Sequence, residues 1–148
     1  MTIRDQLVGT WRLVSFVYEL ANGAEIPAYG ERPLGLLVYD ANGFMTAQIM
    51  NPDRPRFVSG DRRTGTLDEL HAAVEGYIAY FGTYEVDEAE GIVTHRELGD
   101  LFPNAVGTRQ KRFFSLDGDR LALRVPPVVL GGERMTASIV WERVRDRA

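Results

Sequence analysis

Three turn signals divide most of this chain into paired runs of alternating residues, and that punctuation restricts the fold more than any other feature. GLLVYD and FMTAQIMN flank Ala41-Asn42-Gly43; the runs from Tyr80 to Val86 and from Ile92 to Leu98 flank Glu88-Ala89-Glu90-Gly91; QKRFFSL and RLALRV flank Asp117-Gly118-Asp119. Asn-Gly and other Gly-containing turns supply the positive φ angles that tight hairpins need, and aromatic and β-branched residues favour the extended runs on either side. WRLVSFVYEL (Trp11 to Leu20) precedes these hairpins and MTASIVWERV (Met135 to Val144) follows them. About eight short strands at hairpin spacing predict an all-β fold, an antiparallel up-and-down barrel.

One helix interrupts the pattern. LDELHAAVEGYI has apolar residues at helical spacing, Thr66 is a good N-cap, and Glu69 completes a capping box with it. The Leu67, Leu70 and Val74 face is expected to pack on the sheet. Before it, Asn51 to Gly65 is a polar loop with two prolines and four arginines, either a lid or a solvated surface loop. The first strand carries apolar residues in both phases, so burial of both its faces is expected. The Asn42-Gly43 hairpin is expected to put Leu37, Tyr39, Thr46, Gln48 and Met50 on one face, and Leu36, Val38, Met45, Ala47 and Ile49 on a pure core face. Pro126 to Glu133 is expected to be a loop.

Composition narrows the function. The 148 residues form one domain, 1–148, long enough for a barrel with a modest cavity. Absence of cysteine excludes disulfides, thiolate nucleophiles and cysteine-held metal sites. A net charge of −4 with scattered arginines and a single lysine argues against nucleic acid, whose phosphates require concentrated positive charge. No apolar run approaches the roughly 20 residues that span a bilayer, so no membrane role is expected. The polar start, MTIRDQLVG, points to a cytoplasmic protein. No phosphate loop, dinucleotide fingerprint or nucleophile elbow is present, so no cofactor is implied. Two histidines far apart, without a close carboxylate cluster, make a zinc site an unfavoured choice, and no metal is expected.

LVGTWRLVSF, GLLVYDANGFMTAQIM, GYIAYFGTYEV and VTHRELGDLFPNAVGT together resemble the small bacterial and fungal lipocalin-like domain. The resemblance runs from Leu7 to Arg143 and implies an eight-stranded calycin-type barrel with a cavity for a small, largely apolar molecule. It also implies structural roles for Gly9 and Trp11 of the G-x-W pattern, with Arg143 lying across the Trp11 indole.

His95 is the leading chemical candidate, because an imidazole can act as acid, base or hydrogen-bond partner near neutral pH. The period-2 rule places Val93, His95 and Glu97 on a face that can meet Tyr84 and Val86. His71, among polar helix residues, is expected to be exposed. Tyr80, Tyr84, Met50, Phe114 and Trp141 are candidate walls of a ligand site; Gln48, Arg112 and Asn104 are candidate polar anchors. These residues suit a barrel binding a small hydrophobic or aromatic molecule in its central cavity. The alternative is a cofactor-independent isomerase, cyclase or hydrolyase of secondary metabolism in which His95 moves a proton. A third possibility is a barrel filled by its own side chains. A neutral, hydrogen-bonded His95 in an apolar pocket would favour binding. Apolar residues on both strand faces also allow a homodimer.

Overall fold

A computed structural model of the protein describes residues 1–145. A short helix, α1 (Ile3–Leu7), leads into β1 (Gly9–Leu20), β2 (Glu25–Pro27), β3 (Leu34–Tyr39) and β4 (Phe44–Met50). After the polar loop come α2 (Leu67–Glu75), β5 (Tyr77–Asp87) and β6 (Ile92–Asp100). A 3-10 turn at Pro103–Ala105 precedes β7 (Arg109–Asp117), β8 (Arg120–Leu130) and β9 (Glu133–Arg143). Each strand from β3 onward pairs antiparallel with the next, and β1 closes the ring by pairing with both β3 and β9. The result is the expected eight-stranded barrel, with β2 added alongside the far part of β1 as an extra strand.

The floor is closed by the chain start. The indole N–H of Trp11 donates to the carbonyl of Leu7 at 2.9 Å, and both residues are fully buried. The Arg143 guanidinium lies 4.3 Å above the Trp11 ring and donates to the carbonyls of Val8, at 3.0 Å, and Gln6. Gly9 sits at φ 141° below it, and a Cβ there would lie 2.9 Å from Nη1 of Arg143. Gly9, Trp11 and Arg143 thus meet at the barrel floor. Leu37, Tyr39, Val93, Leu121 and Trp141 fill the layers above; each buried apolar side chain contributes roughly 1.5–3 kcal/mol.

Several expectations are corrected, each by a local geometric cause. The Ala41-Asn42-Gly43 loop has an odd length: Asp40 N–H donates to the Phe44 carbonyl at 2.9 Å, so Tyr39 pairs with Met45 and Leu37 with Ala47. Leu37 and Tyr39 consequently share the inner face with Met45, Ala47 and Ile49, while Thr46, Gln48 and Met50 turn outward with Leu36. In β1, Leu13 pairs with Trp141 and Ser15 with Val140, leaving Val14 as a bulge. The extra residue switches phase, so Trp11 and Leu13 point inward before it and Phe16 after it; the strand is buried on one face. The segment after Val125 is strand rather than loop, with Pro126 and Pro127 in a second bulge where missing N–H donors cost no ladder bond.

The helix forms as predicted at its start. Thr66 Oγ1 accepts from Glu69 N–H, and the Glu69 carboxylate accepts from Thr66 and Val58 N–H groups, which holds its pKa below the ordinary value. Its apolar face does not pack on the sheet: Leu67 is 85% exposed and Val74 56%. Arg54 instead ties the helix end to the polar loop, donating to the carbonyls of Ala73 and Asn51 and lying 5.0 Å over the Tyr77 ring. A cation at the carbonyl end of a helix is electrostatically favourable.

Candidate functional site

Above the floor the barrel encloses a cavity of about 150 Å³. Phe16, Leu37, Ile49, Leu123, Ile139 and Trp141 give it apolar walls, and Tyr80, His95 and Arg112 form its polar side. Tyr80 comes from β5, His95 from β6 and Arg112 from β7, so three adjacent strands deliver these groups to one wall.

His95 is 1% exposed and held at both nitrogens: Nε2 lies 2.6 Å from the Tyr39 hydroxyl and Nδ1 2.9 Å from that of Tyr80. Burial, with Arg112 nearby, drives its pKa down to about 3, so the ring is neutral near pH 7 and carries one N–H. Burial also raises the Tyr80 phenol to about 12 and the Tyr39 phenol well above its usual range. Tyr39 is fully buried, and Nε2 is the partner of its hydroxyl. If Tyr39 accepted, its own hydrogen would be stranded in the core, which is costly; Tyr39 therefore donates to Nε2. Nδ1–H then donates to Tyr80, whose hydroxyl hydrogen is left for a third group. Arg112 lines the cavity together with Tyr80, and its Nη1 donates to the Lys111 carbonyl at 3.0 Å.

Tyr80 and Arg112, with Ile78 and Leu130, also border a vestibule of about 520 Å³ formed with Val74 of α2, Leu101, Phe102, Glu97 and Asp100. Asp100 reaches this place through a bulge. Phe81 pairs with Gly99 but Gly82 pairs with Glu97, so Leu98 is unpaired and the phase of β6 changes. Asp100, opposite the inward Tyr80, thus joins the face that carries Glu97. Gly82 permits the crossing, because a Cβ there would lie 1.8 Å from the Arg96 carbonyl oxygen. Glu97 is 2% exposed. Burial first, and then the Asp100 carboxylate beside it, raises its pKa to about 8. Its Oε2 has no hydrogen-bond partner among the described residues, and neither has the indole N–H of Trp141.

The other sequence candidates lie elsewhere. Tyr84 is inside but below the cavity, 4.7 Å from Tyr39 between ring centroids, with its hydroxyl donating to the Asp40 carbonyl. Phe114 packs half-buried against the core and borders neither space. Gln48 and Met50 face the outside, where Gln48 accepts from the Tyr77 hydroxyl at 2.6 Å. Asn104 is exposed in the 3-10 turn. His71 is exposed on α2 and paired with Glu75 at 2.6 Å. Asp100 was missed by periodicity; glycines at 82 and 99 inside apparent strands were the available signal of a bulge.

A family model described as a lipocalin-like domain matches residues 8–144. The chain belongs to the lipocalin-like domain family. This lipocalin-like protein is also 31% identical over 107 residues to the 4'-hydroxy-3'-methoxypropiophenone carrier protein ppsC of Aspergillus oryzae, an alignment covering 68% of this chain and 96% of the relative. No helix among the described residues is long and apolar enough to cross a membrane.

Proposed function

We propose that this lipocalin-like barrel binds a small, largely hydrophobic or aromatic molecule in its central cavity, with a hydrogen-bond acceptor of that molecule at the Tyr80 hydroxyl and Arg112. The carrying observation is the apolar cavity with a single polar wall on which His95 fixes the donor direction of Tyr80. A cavity of about 150 Å³ lined by apolar side chains is large enough to take a benzene ring in other proteins, and the vestibule leaves room for substituents. The relative's name, a propiophenone carrier, supports an aromatic carbonyl compound as the ligand class. His95 acts in this reading by positioning Tyr80: both its nitrogens are engaged and the ring stays neutral, which supports binding over proton transfer by His95.

Titration of Trp141 fluorescence with 4'-hydroxy-3'-methoxypropiophenone and simpler aryl ketones tests the proposal. Wild type should show saturable binding, Ala137→Phe, which fills the cavity, should lose it with an unchanged circular dichroism spectrum, and Gln48→Ala should retain it. Absence of saturation with the whole panel, or full binding by Ala137→Phe, would sink the idea.

A further inference from the structure

The vestibule contains a polar group that the cavity wall does not use. Glu97 borders the vestibule, its side chain is almost wholly removed from water, and Oε2 is unpartnered among the described residues. Asp100 sits against it on the same inner face, brought there by the Leu98 bulge, and Oδ1 of Asp100 is fixed by the Phe102 N–H at 2.7 Å. Two adjacent carboxyl groups, Glu97 buried and Asp100 partly so, retain one proton between them, since two like charges side by side are unfavourable. With that proton directed to Asp100, the remaining Glu97 oxygen is an acceptor that lacks a donor. The terminal torsion of a glutamate is broad, so a small rotation turns Oε2 toward the vestibule.

We propose that Glu97 and Asp100 form a second polar subsite that accepts a hydroxyl group, so that the barrel selects neutral ligands with an acceptor at the cavity end and a hydroxyl at the vestibule end. This rests on the binding function proposed above and specifies its ligand class. Charged ends fit worse. A carboxylate would sit beside Asp100, either a carboxylate or an ammonium would lose its hydration among Ile78, Leu101, Phe102 and Leu130, and Arg112 already balances the one negative charge of the carboxyl pair. A phenolic or alcoholic hydroxyl supplies the missing donor without adding charge.

The test is isothermal titration of propiophenone and its ring-hydroxylated isomers against wild type, Glu97→Leu and Glu97→Gln. At least one isomer should bind wild type about ten-fold or more tightly than the parent ketone, as expected for satisfying a buried acceptor. That ratio should fall to near one in Glu97→Leu and persist in Glu97→Gln, whose amide oxygen still accepts. Should Glu97→Leu fail to fold, infrared difference spectra of wild type provide the readout: the protonated carboxyl band, assigned by its loss in Glu97→Gln, should shift with the hydroxylated ligand and stay put with the parent. Parent and isomers binding equally, a preference that survives Glu97→Leu, or an unmoved carboxyl band would overturn the subsite while leaving the cavity reading intact. If neither parent nor isomers bind, the cavity reading falls and the subsite with it.

Discussion

Glu97 and His95, both buried on the barrel wall, push stability in opposite directions with pH, and the combined profile has a shape that can be calculated. Glu97 has its pKa raised from the ordinary 4.5 to about 8, so in that interval the folded protein holds a proton that the unfolded chain has released. Its contribution is fully present below the lower value and is lost as pH rises toward the upper one. His95 has its pKa lowered from 6.5 to about 3, so the folded protein lacks a proton that the unfolded chain binds, and stability is lost as pH falls through that interval. One proton changes the unfolding free energy by about 1.4 kcal/mol per pH unit. Where the two windows overlap the slopes cancel, giving a plateau from about pH 4.5 to 6.5, with losses of roughly 2 kcal/mol on each side by about pH 8 and about pH 3. Urea denaturation across this range, with Glu97→Gln and His95→Gln compared with wild type, isolates each term from the surface carboxylates. The wild-type advantage over Glu97→Gln should shrink steadily as pH rises from about 4.5 to 8, and its advantage over His95→Gln should shrink as pH falls from about 6.5 to 3. Parallel curves for wild type and Glu97→Gln between about pH 6.5 and 8 would show that Glu97 ionises like a surface acid and would refute the shared proton.

Two further outcomes are expected elsewhere in the molecule. Arg143→Met should cost roughly 2–4 kcal/mol in thermal unfolding, because it removes the contact with the Trp11 ring and the bonds to the Gln6 and Val8 carbonyls, and Arg143→Lys should recover only part of it. Thr66→Ala should cost about 1 kcal/mol through loss of the helix cap, whereas Leu67→Ser should stay within about 0.5 kcal/mol, because Leu67 is 85% exposed; a larger loss at Leu67 by the same assay would mean that the helix packs on the barrel in solution.

Much of the architecture was legible because hairpin turns and strand alternation are local properties. The Asp117-Gly118-Asp119 turn closes with Asp117 opposite Arg120, which sets Leu116 opposite Leu121 and Phe114 opposite Leu123. Val86 pairs with Val93 and Tyr84 with His95, as the alternation required. What was hidden depends on single residues that change phase. An odd loop at Ala41-Asn42-Gly43 inverted the expected lining of β3 and β4, turning Gln48 and Met50 outward. Bulges at Val14 and Leu98 did the same within β1 and β6, and the second of them assembled Glu97 with Asp100. The helix misled for a different reason: its apolar spacing is real, yet its Val74 borders the vestibule rather than a packed sheet, and periodicity does not distinguish the two.

The seam between β1 and β9 has a temporal consequence. Trp11 pairs with Arg143 and Leu20 with Met135, so the strand made first completes its ladder only against the strand made last. Until β9 has emerged, β1 and the hairpins from β3 to β8 form an open sheet with unpaired edges at β1 and β8 and an apolar face, the condition in which strands recruit other chains. Closure across such a sequence separation is slow compared with forming a hairpin. During synthesis, the interval before the seam closes is the period in which this barrel is most exposed to aggregation.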